Sequence, residues 1–134
     1  MKKLSFLFIV LLTISSCGGG FDANEEKNKI FDVHDEVMPK MGEVMNLRKK
    51  VLEKASTMEE AQANELRDLA KELNDASNLM MTWMRDWSKN SGQYMEMQNG
   101  TDAQKTYLAG EMEKVQEVKK AINESLEKAR AALK

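Results

Sequence analysis

A seam of apolar residues in the middle of the chain constrains the fold most strongly. Its members recur at alternating spacings of three and four residues: Leu66, Leu69, Leu73, Ala76, Met80, Trp83 and Trp87. That spacing places side chains along one face of an α-helix, and three heptads of it are typical of a coiled-coil-like seam. Thr57, followed three residues later by Glu60, has the pattern of a capping box. These features predict a helix over about residues 58–88.

The segment before the seam, about residues 25–56, carries a wider apolar stripe. Its centre line repeats every seventh residue, at His34, Met41, Arg48 and Ala55. Apolar side chains flank that line on both sides, which is typical of a helix that packs against two neighbours. Pro39 lies inside the stripe and lacks a backbone donor. We expect it to kink the helix near Asp35 rather than end it, because the stripe continues in phase.

A third stripe follows a second capping box, Thr101 to Gln104. Its centre line is Leu108, Val115, Ile122 and Ala129, which predicts a helix over about residues 102–133. Residues 88–100 contain Asn-Ser-Gly and Asn-Gly breakers, so we interpret most of that segment as loop. The turn near residue 57 is very short, so the first two helices must be antiparallel. The prediction for residues 25–134 is an all-α, antiparallel, up-down-up three-helix bundle.

The first 16 residues have the layout of a secretory signal peptide. Lys2 and Lys3 precede an apolar run over residues 4–14, and two serines precede Cys17. As a helix that run spans roughly 16 Å, too short for a ~30 Å hydrocarbon core. The tetrapeptide Ile-Ser-Ser-Cys at 14–17 resembles the lipobox of bacterial lipoproteins. The alternative is an ordinary signal peptide with a cysteine near its cleavage site.

The lipobox resemblance implies that Cys17 carries lipid and anchors the chain to a membrane of the cell envelope. Cys17 is the only cysteine, so it has no intrachain disulfide partner. Residues 17–24 form a glycine-rich flexible tether behind it. Gly18 follows the cysteine where some lipoproteins of diderm bacteria have aspartate. That resemblance favours the outer membrane as the membrane of attachment. It does not indicate whether the chain lies on the periplasmic side or on the cell surface.

Composition excludes several classes of function. The predicted signal holds two of the 20 basic residues and none of the 22 acidic ones, which leaves the mature part with a net charge of about −4. The charges are interspersed, so the sequence does not predict nucleic-acid binding or a polybasic lipid-binding face. It contains no Ser/His/Asp arrangement, no phosphate-cradling glycine loop and no His-rich motif. We therefore predict no enzyme, no catalytic residue and no cofactor.

Antiparallel pairing brings one histidine and several methionines to one end of the predicted bundle. The candidates are His34, Met38, Met80, Met84 and Met112. Imidazole and thioether ligands suit Cu(I) or haem iron. The simpler interpretation, which we prefer, is that the methionines fill gaps in the core and pack on aromatic rings, with no metal bound.

Arg48 is the other polar residue on an apolar centre line. We expect the aliphatic part of its side chain to pack along the seam and its guanidinium group to pair with Glu65, Asp68 or Glu124. A specific anion site is the alternative interpretation.

The short lipobox, the run His34–Gly42 and the run Met80–Trp87 together resemble a group of small lipoproteins from Bacteroidota-type bacteria, often labelled viral A-type inclusion protein. That resemblance implies a helical lipoprotein of unknown activity and supplies no catalytic residues. We expect an envelope-anchored interaction or scaffold module with a protein partner. The alternative is a small-ligand, Cu(I) or haem-binding protein that uses the His/Met layer.

Overall fold

The computed structural model describes residues 20–134, so the predicted signal peptide and Cys17 lie outside the described residues. The described chain is all-helical and contains no strand. Its elements are α1 (Ala23–Val37), a 3-10 turn (Met38–Lys40), α2 (Met41–Ala55), α3 (Glu60–Met95) and α4 (Asp102–Ala132). No helix within 20–134 is both long enough and apolar enough to cross a membrane.

Helices α1 and α2 correspond to the first predicted segment. Asp22 caps α1, because its side chain accepts hydrogen bonds from the backbone N–H groups of Asn24 and Glu25. The disturbance caused by Pro39 appears as the 3-10 turn, one turn after the kink expected near Asp35. Proline cannot donate to the α-helical ladder, and the tighter turn carries the chain past it.

The predicted start of the second helix at Thr57 is wrong. Thr57 Oγ1 donates to the Lys54 carbonyl at 2.8 Å, so this side chain closes the end of α2 instead of opening α3. Glu59 is the N-cap of α3, and its side chain makes no capping hydrogen bond. A hydroxyl can serve either neighbouring helix, and here the preceding carbonyl is its partner.

The predicted loop over 88–100 is wrong for residues 88–95, because α3 continues to Met95, whereas residues 96–100 do lie outside the helices. The breakers at 90–92 are overridden by tertiary packing: the ring of Tyr94 stacks on Tyr107 of α4, with centroids 4.0 Å apart. Gln104, only 1% exposed, donates from Nε2 to the Tyr94 carbonyl at 2.9 Å. Local preference is a weak influence that such contacts routinely outweigh.

The N-cap predicted at Thr101 is confirmed, since its hydroxyl accepts from the backbone N–H of Gln104 at 3.3 Å. Gln104 reaches back to the N–H of Gly100 rather than to that of Thr101. Gly100 adopts a φ of 85°, in the left-handed region that favours glycine. In the same loop, Asn99 donates to the Phe21 carbonyl at 2.7 Å and accepts from the N–H of Ala23 at 3.0 Å. The α3–α4 loop therefore holds the start of α1.

One apolar core joins all four helices. α2 packs against α3, α3 against α4, and both α1 and α2 contact α4. Fully buried side chains come from every helix: Ile30, Val37, Val44, Val51, Leu73, Met80, Leu108, Val115, Ile122 and Leu126. At the surface, the Arg130 guanidinium donates two hydrogen bonds, of 2.8 and 2.7 Å, to the carboxylate of Glu43. Such exposed pairs add at most about 1 kcal/mol each, so burial supplies most of the stability.

Candidate functional site

An aromatic cluster occupies the end of the molecule where the His/Met layer was predicted. The His34 ring lies 5.7 Å, centroid to centroid, from both Phe31 and Trp83. Trp83 continues to Trp87 at 5.9 Å, and Trp87 to Tyr107 at 6.0 Å. Residues of α1, α3 and α4 thus meet in one chain of rings, at separations typical of favourable aromatic pairs.

His34 is largely enclosed, as its place on the apolar centre line predicts. Its side chain is 12% exposed, and Nδ1 lies 2.8 Å from Oδ1 of the exposed Asp35. Nε2 is buried and has no hydrogen-bond partner among residues 20–134. Trp83 Nε1 and the Tyr107 hydroxyl of the same cluster are likewise buried without a partner in the described chain. Buried polar atoms normally have one, and of these three the His34 nitrogen is the one that can act as a metal ligand.

The methionine candidates belong mainly to the core. Met80 is fully buried, and Met38, Met84 and Met112 are partly buried against the core cluster. The sulfur of Met112 accepts from Nε2 of Gln116 at 3.8 Å. No group of three or more His, Cys, Asp or Glu side chains in the described part of the chain could hold a metal ion.

Glu111 is a polar residue of this region that the sequence analysis missed. It is 3% exposed; Oε1 accepts from Lys114 at 2.7 Å, whereas Oε2 is buried without a partner in the described chain. That hydrogen bond raises the pKa of Lys114. Burial, with the nearby Glu111 charge, raises the pKa of Tyr107 to about 12. The sequence did contain a signal for the burial of Glu111. This residue lies three positions after Leu108 and four before Val115, both on the centre line of α4.

A groove runs along the outside of α3 and α4, and we name it the α3–α4 groove. Its two adjoining cavities, about 140 and 220 Å³, share Leu79. Leu79 is 48% exposed although it belongs to a helix that buries its apolar face. Trp83, Val118 and Ala121 also line the groove and give it an apolar floor.

The rim of the α3–α4 groove is mainly acidic. Five carboxylates line it: Glu72, Asp75, Asp86, Glu117 and Glu124. Two lysines also line it, and they pair with Glu111 (Lys114) and Glu72 (Lys128), both at 2.7 Å. Asp75 and Glu124 pair with lysines outside the groove, whereas Asp86 and Glu117 form no ion pair within residues 20–134. These two carboxylates, Asp86 and Glu117, lie in the cavity that also holds Leu79 and Trp83. The potential over this part of the floor is therefore negative, which favours a positively charged partner.

The ion pair predicted for Arg48 is wrong. Arg48 is partly buried between α2 and α3, but no carboxylate within residues 20–134 pairs with it, neither Glu65, Asp68 nor Glu124. It lies beside Arg67 and Lys71 instead. The packing of α2 on α3 brings together these cations, which are distant in sequence.

In comparisons with known proteins, no family model, no curated protein and no solved structure matches this chain. The resemblance to small lipoproteins therefore stays a prediction.

Proposed function

We propose that the protein is a lipid-anchored interaction module of the cell envelope, without catalytic activity, built as an up-down-up three-helix bundle. Cross-helix pairs support this topology. Glu36 pairs with Lys119, and Glu43, further along the chain, pairs with Arg130. The segment formed by α1 and α2 therefore runs parallel to α4. Phe31 contacts Trp87 and His34 contacts Trp83, so α1 runs antiparallel to α3.

The observation that carries the proposal is the α3–α4 groove. Its apolar floor, centred on the half-exposed Leu79, is bordered by five carboxylates and two lysines, and Asp86 and Glu117 are the carboxylates that form no ion pair in the described chain. The occupant that matches this chemistry is an amphipathic helix whose apolar face covers Leu79 and whose flanks carry lysine or arginine. Helix-in-groove recognition places apolar anchors at such positions, and complementary charge sets orientation and association rate.

A charge placed at Leu79 tests the groove. Burying a leucine in an interface contributes about 1.5–3 kcal/mol, so Leu79→Glu should lower partner affinity by about tenfold or more. Partner recovery is measured after chemical cross-linking in cells, with the anchored full-length chain as bait and the partner identified by its peptides. The matched control is Met81→Glu, since Met81 lies on the same helix, is 47% exposed and does not line the groove.

The expected result is loss of one partner, carrying a basic amphipathic helix, in Leu79→Glu but not in Met81→Glu. Equal recovery by both variants, or a partner whose contact surface is acidic, contradicts the proposal. Far-ultraviolet circular dichroism of each variant verifies that the helices are intact.

Binding of Cu(I) at the aromatic cluster is the second function that we propose for testing. It is supported by one observation, the buried Nε2 of His34 that lacks a hydrogen-bond partner in the described chain. Imidazole nitrogen and methionine sulfur are ligands that Cu(I) prefers, and Met38 lies one turn after His34.

Under this second proposal, the full-length chain titrated with Cu(I) without oxygen binds one ion, and His34→Gln loses it. Met97→Leu is the control, because Met97 is an exposed methionine beyond the end of α3. A wild-type chain that binds no stoichiometric copper, or a His34→Gln variant that keeps it, refutes Cu(I) binding and leaves His34 a packing residue.

A further inference from the structure

The groove between α2 and α3 is distinct from the α3–α4 groove in position and in charge. It encloses about 230 Å³ and is lined by Arg48, Leu52, Arg67, Ala70, Lys71 and Asn74. Three of these six side chains are cationic and none is a carboxylate, whereas each cavity of the α3–α4 groove contains acidic residues. In a chain with a net charge of −2, such a concentration of positive charge is not expected from composition.

Arg48 is the central feature of this groove. It is partly buried, and within residues 20–134 no carboxylate pairs with it. A guanidinium carries five donors that normally find acceptors, above all when it is removed in part from water. Its neighbours on the groove wall are Arg67 and Lys71, which add positive charge instead of neutralising it.

The two neighbouring cations both pair with carboxylates, but Arg67 keeps donors free for a ligand. Arg67 uses Nη1 for both of its contacts, with Glu60 at 3.2 Å and Asn64 at 2.8 Å, so its other guanidinium nitrogens make no hydrogen bond in the described chain. Lys71 pairs with Asp75. The Glu60 side chain is 80% exposed and that of Asp75 is 52% exposed, so water weakens both ion pairs. Arg48, unpaired in the described chain, leaves the groove with a net positive charge.

We propose that the α2–α3 groove binds a phosphate group, with Arg48 and Arg67 as the forked donors and Lys71 as a point charge. Arginine forks match the geometry of phosphate oxygens and bind them in pairs, whereas lysine contributes charge without that directionality. The unpaired charge of Arg48 and the free guanidinium donors of Arg67 favour an anion with several oxygens, and a phosphate monoester carries nearly two negative charges near neutral pH. The amide of Asn74 on the same wall offers a further donor.

Two sources share this chemistry, free phosphate and the headgroup of a phosphate-monoester lipid. Calorimetric titration of the full-length chain in detergent with inorganic phosphate, and separately with a short-chain water-soluble phosphatidic acid, distinguishes them. Comparable affinity for both ligands assigns the site to free phosphate. At least about tenfold tighter binding of the phosphatidic acid assigns it to the lipid headgroup.

The variant Arg48→Gln should weaken binding of whichever ligand binds by about tenfold or more, because hydrogen bonds to charged groups are the strong ones. Arg85→Gln is the matched control: it removes the same charge from an exposed site of α3 outside the groove. Circular dichroism verifies the fold of both. The proposal is overturned if neither ligand binds at millimolar concentration, or if Arg85→Gln weakens binding as much as Arg48→Gln.

Discussion

Replacing Cys17 by serine is expected to leave the chain without lipid and to release it from the membrane fraction. The tetrapeptide at 14–17 resembles a lipobox, and lipid transfer to a lipobox requires the cysteine thiol. A serine hydroxyl does not replace that thiol. Several acyl chains give stable anchoring where a single chain is marginal. Fractionation after a high-salt wash, with intact-mass spectrometry of the purified protein, measures both effects.

The control for the anchor is Gly19→Ala, which keeps the cysteine and the tetrapeptide. It should remain lipidated and in the membrane fraction. If Cys17→Ser still fractionates with membranes after the wash, or if the wild-type protein carries no lipid mass, the anchor prediction is wrong.

Truncating Trp83 to alanine should lower the free energy of unfolding by about 3–5 kcal/mol, the usual cost of removing a large aromatic side chain from a core. Trp83 is 4% exposed and its ring lies against those of Phe31, His34 and Trp87. Its loss therefore leaves a void where α1 meets α3. Urea unfolding followed by far-ultraviolet circular dichroism measures the change.

Leu79→Ala is the control for that measurement. Leu79 lies one turn before Trp83 on the same helix but is half-exposed, so its truncation should change stability by less than about 1 kcal/mol. A loss below about 1 kcal/mol for Trp83→Ala would contradict the packing of the aromatic cluster. The same Leu79 variant separates stability from recognition, since it should reduce partner binding while the fold persists.

The all-helical fold class could be predicted from the sequence because the buried face of a helix places apolar residues at regular spacings, and these spacings are visible in the sequence. The seam from Leu66 to Trp87 is such a pattern, and all of its members except the partly buried Leu69 are buried. Antiparallel pairing also predicted that His34 lies at the same end of the bundle as Met80 and Met84, because a short turn limits the register. In the structure His34 contacts Trp83, which lies between those two methionines in the sequence.

Helix ends were less predictable because they depend on contacts between segments. Thr57 has the sequence pattern of an N-cap, yet its hydroxyl donates to the preceding helix. The Asn-Ser-Gly breakers at 90–92 lie inside α3 because Tyr94 stacks on Tyr107, a contact that local sequence does not reveal.

The charged sites were the least predictable part. Arg48 was expected to find an acid, but its register places it opposite Arg67 and Lys71 on the next helix. Shifting a neighbouring helix by one turn changes which charges meet, and periodicity does not fix register that closely. The acidic rim of the α3–α4 groove likewise arises only when two helices, each of mixed charge, are placed side by side.

The most direct test of the α3–α4 groove as a protein-binding surface is photo-cross-linking from position 79 in intact cells, with a photoreactive amino acid in place of Leu79 in the full-length chain. We expect one protein adduct, mapped by mass spectrometry to an amphipathic helix flanked by lysine or arginine. The same probe at Met81, equally exposed on the same helix, should give no such adduct. An adduct pattern identical at the two positions, or adducts with lipid alone, would contradict the assignment of the α3–α4 groove as a protein-binding surface.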